Sequence, residues 1–431
     1  MVRREDTMPG RSIFQSLTHR NFRLFFIGQS LSLVGTWTQT TTMPWLLSRL
    51  TDSKSLYGFV LFCATLPALF LPPFAGVIVD RFDRRRLLMV TQALAMLQAL
   101  ALAIIVATGH VQLWHVFVLN LILSMVNAFD LPARQTFLGD MLDSREDLAN
   151  AIALHSTMIN SARLFGPSLA AWLIVAVGEQ GSFFVNAASF SAVLVALALM
   201  HTRRHVPSVE DEPWLVGLKG GFGYVRRHRP IRSALIVVAF ASMFGMPYSL
   251  LLPFFTVEQL GAGPGTYGLL MTAPGVGALT ACLYIAWRGL KGLTRRLMVG
   301  PAIAGAGLIA ISFCRSPYPA LAVLFFIGFG FMTTLNAANT LLQSMADPEK
   351  RGRVMGYYSI AFTGMAPLGN LIVPTLAGWI GTPGTMMLGG AVCVLAALWL
   401  RLTINNWRGE VRAQLRPKPV VVQETEVPVG G

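Results

Sequence analysis

Gly76-Val77-Ile78-Val79-Asp80-Arg81-Phe82-Asp83-Arg84-Arg85-Arg86 joins the end of one long apolar run to the start of another. Neither Ser55–Val79 before it nor Leu87–Phe129 after it contains an Asp, Glu, Lys or Arg. A membrane-spanning helix needs about 20 predominantly apolar residues. The quoted stretch therefore reads as a short charged hairpin at a membrane surface. Leu87–Phe129 is too long for one span and breaks at Thr108-Gly109-His110. Working outward, Leu24–Ser48 supplies span 1, Ser55–Val79 span 2, and the divided run spans 3 and 4. Leu148–Gly178, interrupted by Arg163, is span 5, and Ser182–Met200 is span 6. After the polar stretch His201–Arg232 come Ser233–Val257, Gly265–Trp287, Leu297–Cys314 and Tyr318–Met345. Val354–Leu400 breaks at Gly381-Thr382-Pro383-Gly384 into spans 11 and 12. The expected fold class is an all-α membrane protein with twelve transmembrane helices in two six-helix halves.

Composition agrees. Of 431 residues, 54% are hydrophobic and 13% charged, with a mean hydropathy of +0.58. A soluble globule carries about 25% charged residues, and a disordered chain is charge-rich and apolar-poor. The net charge of +14 is confined to short segments between the apolar runs. That distribution excludes a nucleic-acid-binding face and fits loops beside anionic lipid. Of the 34 Lys and Arg, only Arg49, Lys54 and Arg315 fall in loops of one parity, Arg163 lies within a span, and the other thirty fall on the opposite side. The positive-inside rule then puts both termini in the cytoplasm. The first apolar run is longer than the 7–15 residues of a signal h-region, so it is expected to be retained.

The chain accordingly divides into a cytoplasmic tail (1–23), a six-helix bundle (24–200), a linker (201–232), a second six-helix bundle (233–404) and a flexible tail (405–431). Within the linker, Trp214, Leu215, Leu218, Phe222 and Val225 are near helical spacing, with Arg226, Arg227 and Arg229 at the end. An amphipathic helix on the inner membrane surface is expected there. The halves show a weak repeat. Asp143-Ser-Arg-Glu-Asp147 leads into a span carrying Gly166-Pro167, and Asp347-Pro-Glu-Lys-Arg351 into one carrying Pro367-Leu-Gly369. Related halves around a midplane site are how secondary transporters are built.

The hairpin residues resemble the G-x-x-x-D-R-x-G-R-[RK] signature of the major facilitator superfamily, with Asp83 standing where that family has Gly. Gly76 permits close helix approach, and Asp80 is placed to accept from a helix N-terminus and to pair with Arg. The resemblance implies that Gly76, Asp80, Arg81, Arg84 and Arg85 form a cytoplasmic latch against span 11 that breaks on inward opening. Ala162-Arg163-Leu164-Phe165-Gly166-Pro167 resembles the G-x-x-x-G-P motif of the antiporter branch, with Ala for the first Gly. Pro167 removes a backbone hydrogen bond and bends the helix. Phe22-Arg-Leu-Phe25 with Gly28-Gln29, Asp130-Leu-Pro-Ala-Arg134-Gln135, Arg145–Ala151, Arg351-Gly-Arg-Val-Met355 and Ala366-Pro-Leu-Gly369 are similar to the enterobactin-exporter and macrolide-efflux branch, also called transmembrane secretion effectors. That resemblance implies a proton-driven exporter of the bacterial inner membrane, taking siderophores, macrolides or other drugs. A lipid or lysophospholipid flippase is an alternative on the same fold, and a non-transporting scaffold or sensor another.

Ionisable residues inside a membrane are costly and usually functional. Asp130 and Arg134 share a helix face at i and i+4, and Arg163 lies deeper. Asp130 is either a protonatable group or part of a structural charge network. Arg163 either binds an anionic substrate or satisfies helix carbonyls. Gln29, Trp37, Asn127, Asn160, Met243, Asn336, Asn339, Tyr357 and Asn370 are candidates to line a substrate cavity, together with Thr36, Gln39, Asn186, Phe244 and Met246. Each Asn or Gln is alternatively helix–helix glue.

No enzyme is expected, since G-x-x-x-x-G-K-[ST], H-E-x-x-H and G-x-S-x-G are all absent. The seven His and four Cys show no metal-ligand spacing, so neither metal nor cofactor is expected. The partners expected are a small-molecule substrate, protons and membrane lipid, acting on a monomer.

Overall fold

The structure is a computed structural model that describes residues 14–71, 75, 79, 82–144, 147–201, 223–289, 292–347, 350–405, 407, 409 and 411. Gly76, Asp80 and Arg81 of the expected latch, most of the linker and the tail beyond 411 lie outside the described residues.

The first half comprises α1 (Arg20–Leu50), α2 (Lys54–Phe70), α3 (Arg84–Ala107), α4 (Leu113–Asp140), α5 (Leu148–Val177) and α6 (Glu179–Leu199). The second half begins with α7, which runs Arg229–Phe240 and continues through π-helical Ala241–Gly245, Tyr248–Phe254 and π-helical Phe255–Gln259. α8 (Pro264–Arg288), α9 (Leu293–Ile311) and α10 (Pro317–Met345) follow. Arg351–Ser359, π-helical Ile360–Gly364 and Ala366–Ile404 complete the chain. Gly381, at φ 78° and ψ 163°, interrupts this last stretch. Only glycine enters that region without steric cost. We therefore write 351–380 as α11 and 382–404 as α12. Among the described residues, nine helices are long and apolar enough to cross a membrane, 351–404 being taken as one.

Two of the π segments have a local cause. Pro247 and Pro367 follow Ala241–Gly245 and Ile360–Gly364 closely. A proline cannot donate to the carbonyl four residues back. The Met246 amide reaches the Ala241 carbonyl at 2.8 Å, one residue beyond α-helical register. The Met243 carbonyl then lies only 2.5 Å from where a side-chain carbon on Gly369 would stand, so α7 and α11 touch backbone to backbone.

Helix pairing repeats between the halves. α1 packs on α5 and α6, α3 on α4 and α6, and α2 on α4. In the second half α7 packs on α11 and α12, α9 on α10 and α12, and α8 on α10. The halves meet along α2 with α11 and α5 with α8, a reciprocal pair under the same numbering. The first and last described residues, Phe14 and Val411, lie toward one end of the bundle, the terminal end. Residues 51–53, Gly178, 260–263 and Gly381 form the opposite, distal end.

At the terminal end, Ser16 donates to the Asp147 carbonyl at 3.0 Å, tying the start of the chain to the start of α5. Residues 223–227 are helical, and Tyr224 and Val225 are buried with Val354, Leu400, Trp407 and Val411. This described end of the linker thus packs on the second half rather than standing apart from it. Trp407 and Val411, which the sequence assigns to the tail, are 1% exposed.

Candidate functional site

A cavity of about 630 Å³ lies between the halves. Its walls come from α1, α2, α4 and α5 and from α7, α8, α10 and α11, two equivalent sets of four. Trp37, Asn127, Arg163, Pro167 and Asn370 line it, as do Gln39 and Met246. The structure sets Gln29, Asn160, Met243, Asn336, Asn339 and Tyr357 outside this lining. The reasons are local. Gln29 is buried in α1. Asn160 donates to the Ser156 carbonyl and Asn336 to the Met332 carbonyl, each within its own helix. Asn339 accepts from Gln343 at 2.6 Å. Met243 lies in the first π segment, against Gly369. Asn186, too, is buried away from the cavity, donating to Gln39, which in turn donates to Gln98.

Most of the apolar wall escapes sequence reading. Tyr248, Met271, Phe331, Met332 and Phe362 all line the cavity. They sit in helices rich in apolar residues on every side, where periodicity gives no signal. Only the polar neighbours of Asn120 and Asn127 on α4 mark a face.

Arg163 projects into the cavity from the middle of α5, with its guanidinium 5.0 Å from the centre of the Trp37 ring. Gly166 makes that contact possible. A side-chain carbon there would stand 2.4 Å from the Trp37 Cβ, so only glycine lets α5 lie this close to α1.

Asp130 is 4% exposed and sits between α3 and α4. Its Oδ1 accepts from Thr91 Oγ1 at 2.8 Å and Gln92 Nε2 at 2.7 Å. Its Oδ2 pairs with Arg134. Nearby, the Nδ1 of buried His155 on α5 has no hydrogen-bond partner among the described residues. Arg163 belongs to the cavity, apart from this pair. The expected grouping of Asp130, Arg134 and Arg163 therefore splits into a buried ion pair and a cavity cation.

Of the hairpin arginines, Arg84 pairs with Asp140 at 3.1 Å. Arg85 donates to the Leu197 and Ala198 carbonyls at 2.6 and 2.8 Å. Those carbonyls are at the C-terminal end of α6, where helical acceptors lack partners and positive charge is favoured. Both contacts fall within the first half.

Bonds between described residues that join the halves gather toward the distal end. Tyr57 donates to the Leu250 carbonyl and Tyr267 to the Thr41 carbonyl, both at 2.9 Å. Lys54 Nζ donates to Glu258 Oε2 at 2.8 Å and to Thr382 Oγ1 at 3.0 Å. Trp45 stacks on Tyr267 with ring centres 5.1 Å apart. Closer to the middle, Ser168 meets Thr272 at 3.0 Å. The cavity is thus closed toward the distal end. A central site between two pseudo-equivalent halves, closed on one side, is the build of a secondary transporter.

The sequence matches the transmembrane secretion effector family over residues 11–427, nearly its whole length. The chain belongs to that family of major facilitator transporters. Among similar proteins, it is 24% identical over 378 residues to the Staphyloferrin A transporter of Staphylococcus aureus, covering 86% of this chain and 94% of the relative. It is 26% identical over 354 residues to the multidrug efflux pump Tap of Mycolicibacterium fortuitum, covering 80% and 86%. The fold resembles that of a bacterial homologue of the human lysosomal transporter Spinster in an inward-facing, unoccupied conformation, with a TM-score of 0.67 at 14% identity over 93% of this chain and 99% of that one. It also resembles a POT family transporter in complex with a thioalcohol-conjugated peptide, with a TM-score of 0.71 at 13% identity over 91% and 96%. As a family member the chain is a multi-pass membrane transporter of small molecules and not an enzyme.

Proposed function

We propose that this transporter exports amphipathic small molecules from the bacterial cytoplasm, exchanging them for protons by alternating access. The observation that carries the proposal is the cavity lined equally from both halves and closed toward the distal end. A relative named as a multidrug efflux pump supports the direction, and one named as a Staphyloferrin A transporter supports a small-molecule cargo. In this reading the chain makes twelve crossings. α1 and α2 join the nine apolar spans, and Gly381 divides the last of these into two. The sequence-based division, with bundles at 24–200 and 233–404, goes with it. Thirty of the 34 basic residues then face the cytoplasm with both termini, so the terminal end is the cytoplasmic one.

Asp130 is the group we assign to the proton. Its carboxylate accepts from Thr91, Gln92 and Arg134 at once. A proton on Oδ2 would release the Arg134 guanidinium, one turn along α4, and neutralise the carboxylate whose Oδ1 accepts from Thr91 and Gln92 of α3. A buried charge pair gated in this way is a bistable element of the kind a proton-driven transporter needs.

The test is proton movement in liposomes holding the purified protein, with siderophores, macrolides and lysolipids supplied in turn. Substrate-dependent proton flux is expected from at least one of the first two classes, and Asp130→Asn should abolish it while leaving the protein folded. Flux with unchanged pH dependence in Asp130→Asn would return Asp130 to a structural role. Lysolipid crossing without proton movement would favour a flippase.

A further inference from the structure

We infer that the cavity selects amphipathic anions, and that Arg163 is the residue that binds the anionic group. The inference rests on the cavity being the substrate site.

Among the described residues that line the cavity, Arg163 is the one charged side chain. No carboxylate among them pairs with it, whereas Arg49, Lys54, Arg84 and Arg134 each have one. Nor, among the described residues, does it bond a helix carbonyl in the way that Arg85 does. Its contact is with the Trp37 ring at 5.0 Å. A ring face holds a guanidinium in place without consuming its in-plane N–H donors. Arg163 is therefore a fixed cation inside a membrane protein, with hydrogen-bonding capacity directed at an open cavity. Charges in such a setting are retained when they have a partner. Here the partner must be the cargo.

A second donor points the same way. Asn120 lines the cavity, and its buried Nδ2 has no acceptor among the described residues. Most of the remaining wall is apolar and adaptable, with Met246, Met271, Met332, Tyr248 and Phe331 among its residues. Such a wall accepts a bulky apolar body without fixing its shape. A cationic ligand would face Arg163 with like charge in a low-dielectric site and no lining carboxylate to offset it. A carboxylate or sulfonate on an apolar body satisfies both donors through charge-assisted hydrogen bonds.

Three fluorescent probes with one aromatic body separate the possibilities: dansylglycine (anionic), dansylamide (neutral) and dansylcadaverine (cationic). Binding is read by fluorescence on the purified full-length protein in detergent. Dansylglycine should bind about tenfold or more tightly than dansylamide, and dansylcadaverine weakest. Arg163→Gln should erase the preference and Arg163→Lys retain part of it. Gel filtration and thermal unfolding verify that the variants are folded. If Arg163→Gln does not fold, the wild-type order and Arg163→Lys decide. Equal or tighter binding of dansylcadaverine, a preference that survives in Arg163→Gln, or binding of none of the three would overturn the inference. Anion-selective binding without proton movement in liposomes would count against proton-coupled export alone. Proton-coupled export of cations would count against the anion site alone.

Discussion

Asp83 stands where the hairpin departs from its family's pattern, and its carboxylate accepts the Arg86 amide at 2.9 Å. It is the N-cap of α3. The glycine it replaces would leave that amide to water. Asp83→Ala should cost about 1 kcal/mol of stability, the usual value of a lost cap, read as a lower unfolding midpoint. At the same end of the bundle, His19 lies between Asp143 and Asp147, each ring nitrogen 2.9 Å from a carboxylate oxygen. Only the imidazolium donates on both sides. The hydrogen bond to Asp143, then that to Asp147, raises the His19 pKa above 6.5 against the opposing effect of burial. A group whose pKa is raised on folding contributes stability in full below its unfolded value and loses it as pH climbs through the folded one. The gap in melting temperature between wild type and His19→Gln should therefore be widest below pH 6.5 and shrink above it. A gap that widens with pH would contradict the assignment. None of this is visible in the sequence, since His19 and Asp143 are 124 residues apart and no local pattern joins them.

At the scale of helices, the contact of α1 with α5 ties architecture to the site. Gly166 on α5 faces Trp37 on α1, and Trp37 carries the Arg163 contact. Gly166→Ala places a carbon 2.4 Å from the Trp37 Cβ. The helices must separate, at about 1–3 kcal/mol as for other overpacked sites. A fall in thermal stability together with altered dansylglycine binding is the expected result. Unchanged behaviour in both would show that the contact is not as tight as described. Sequence reading identified Gly166-Pro167 as a bend but could not name the helix it meets. It found the break at Gly381 because two glycines and a proline sit together inside an over-long apolar run. The π segments at Ala241–Gly245 and Ile360–Gly364 were not legible. Pro247 and Pro367 announce a disturbed register, but packing against neighbours decides whether a helix kinks or widens.

Across the whole molecule, reciprocal pairing of α2 with α11 and α5 with α8 sets the two halves around a shared cavity, the arrangement that the proposed alternating access requires. The distal bonds are the ones that must break for the cavity to open there. Tyr57 and Tyr267 are fully buried, and each donates to a carbonyl of the other half. Each hydrogen bond is worth about 0.5–1.5 kcal/mol net. Tyr57→Phe with Tyr267→Phe should thus shift the populations toward the distally open state by roughly tenfold or more. Faster thiol labelling of a cysteine placed in the distal seam would report it. The overall architecture was legible because membrane crossings are written in runs of apolar residues and in the one-sided distribution of Arg and Lys. The cavity lining was legible chiefly where polar residues interrupt those runs, as at Asn127, Arg163 and Asn370, and at a few apolar positions such as Trp37 and Met246. Its apolar wall and the distal closure depend on residues far apart in sequence, such as Lys54 and Glu258, whose bond spans 204 positions.

Alternating access is the central claim, and locking the distal end tests it most directly. Lys54 and Glu258 face each other across the halves at 2.8 Å. In a background with Cys63, Cys282, Cys314 and Cys393 replaced, cysteines at these two positions can be joined by a short thiol cross-linker cleavable by reductant. Transport in liposomes should stop on cross-linking and return on cleavage. Full transport by the cross-linked protein would contradict the account.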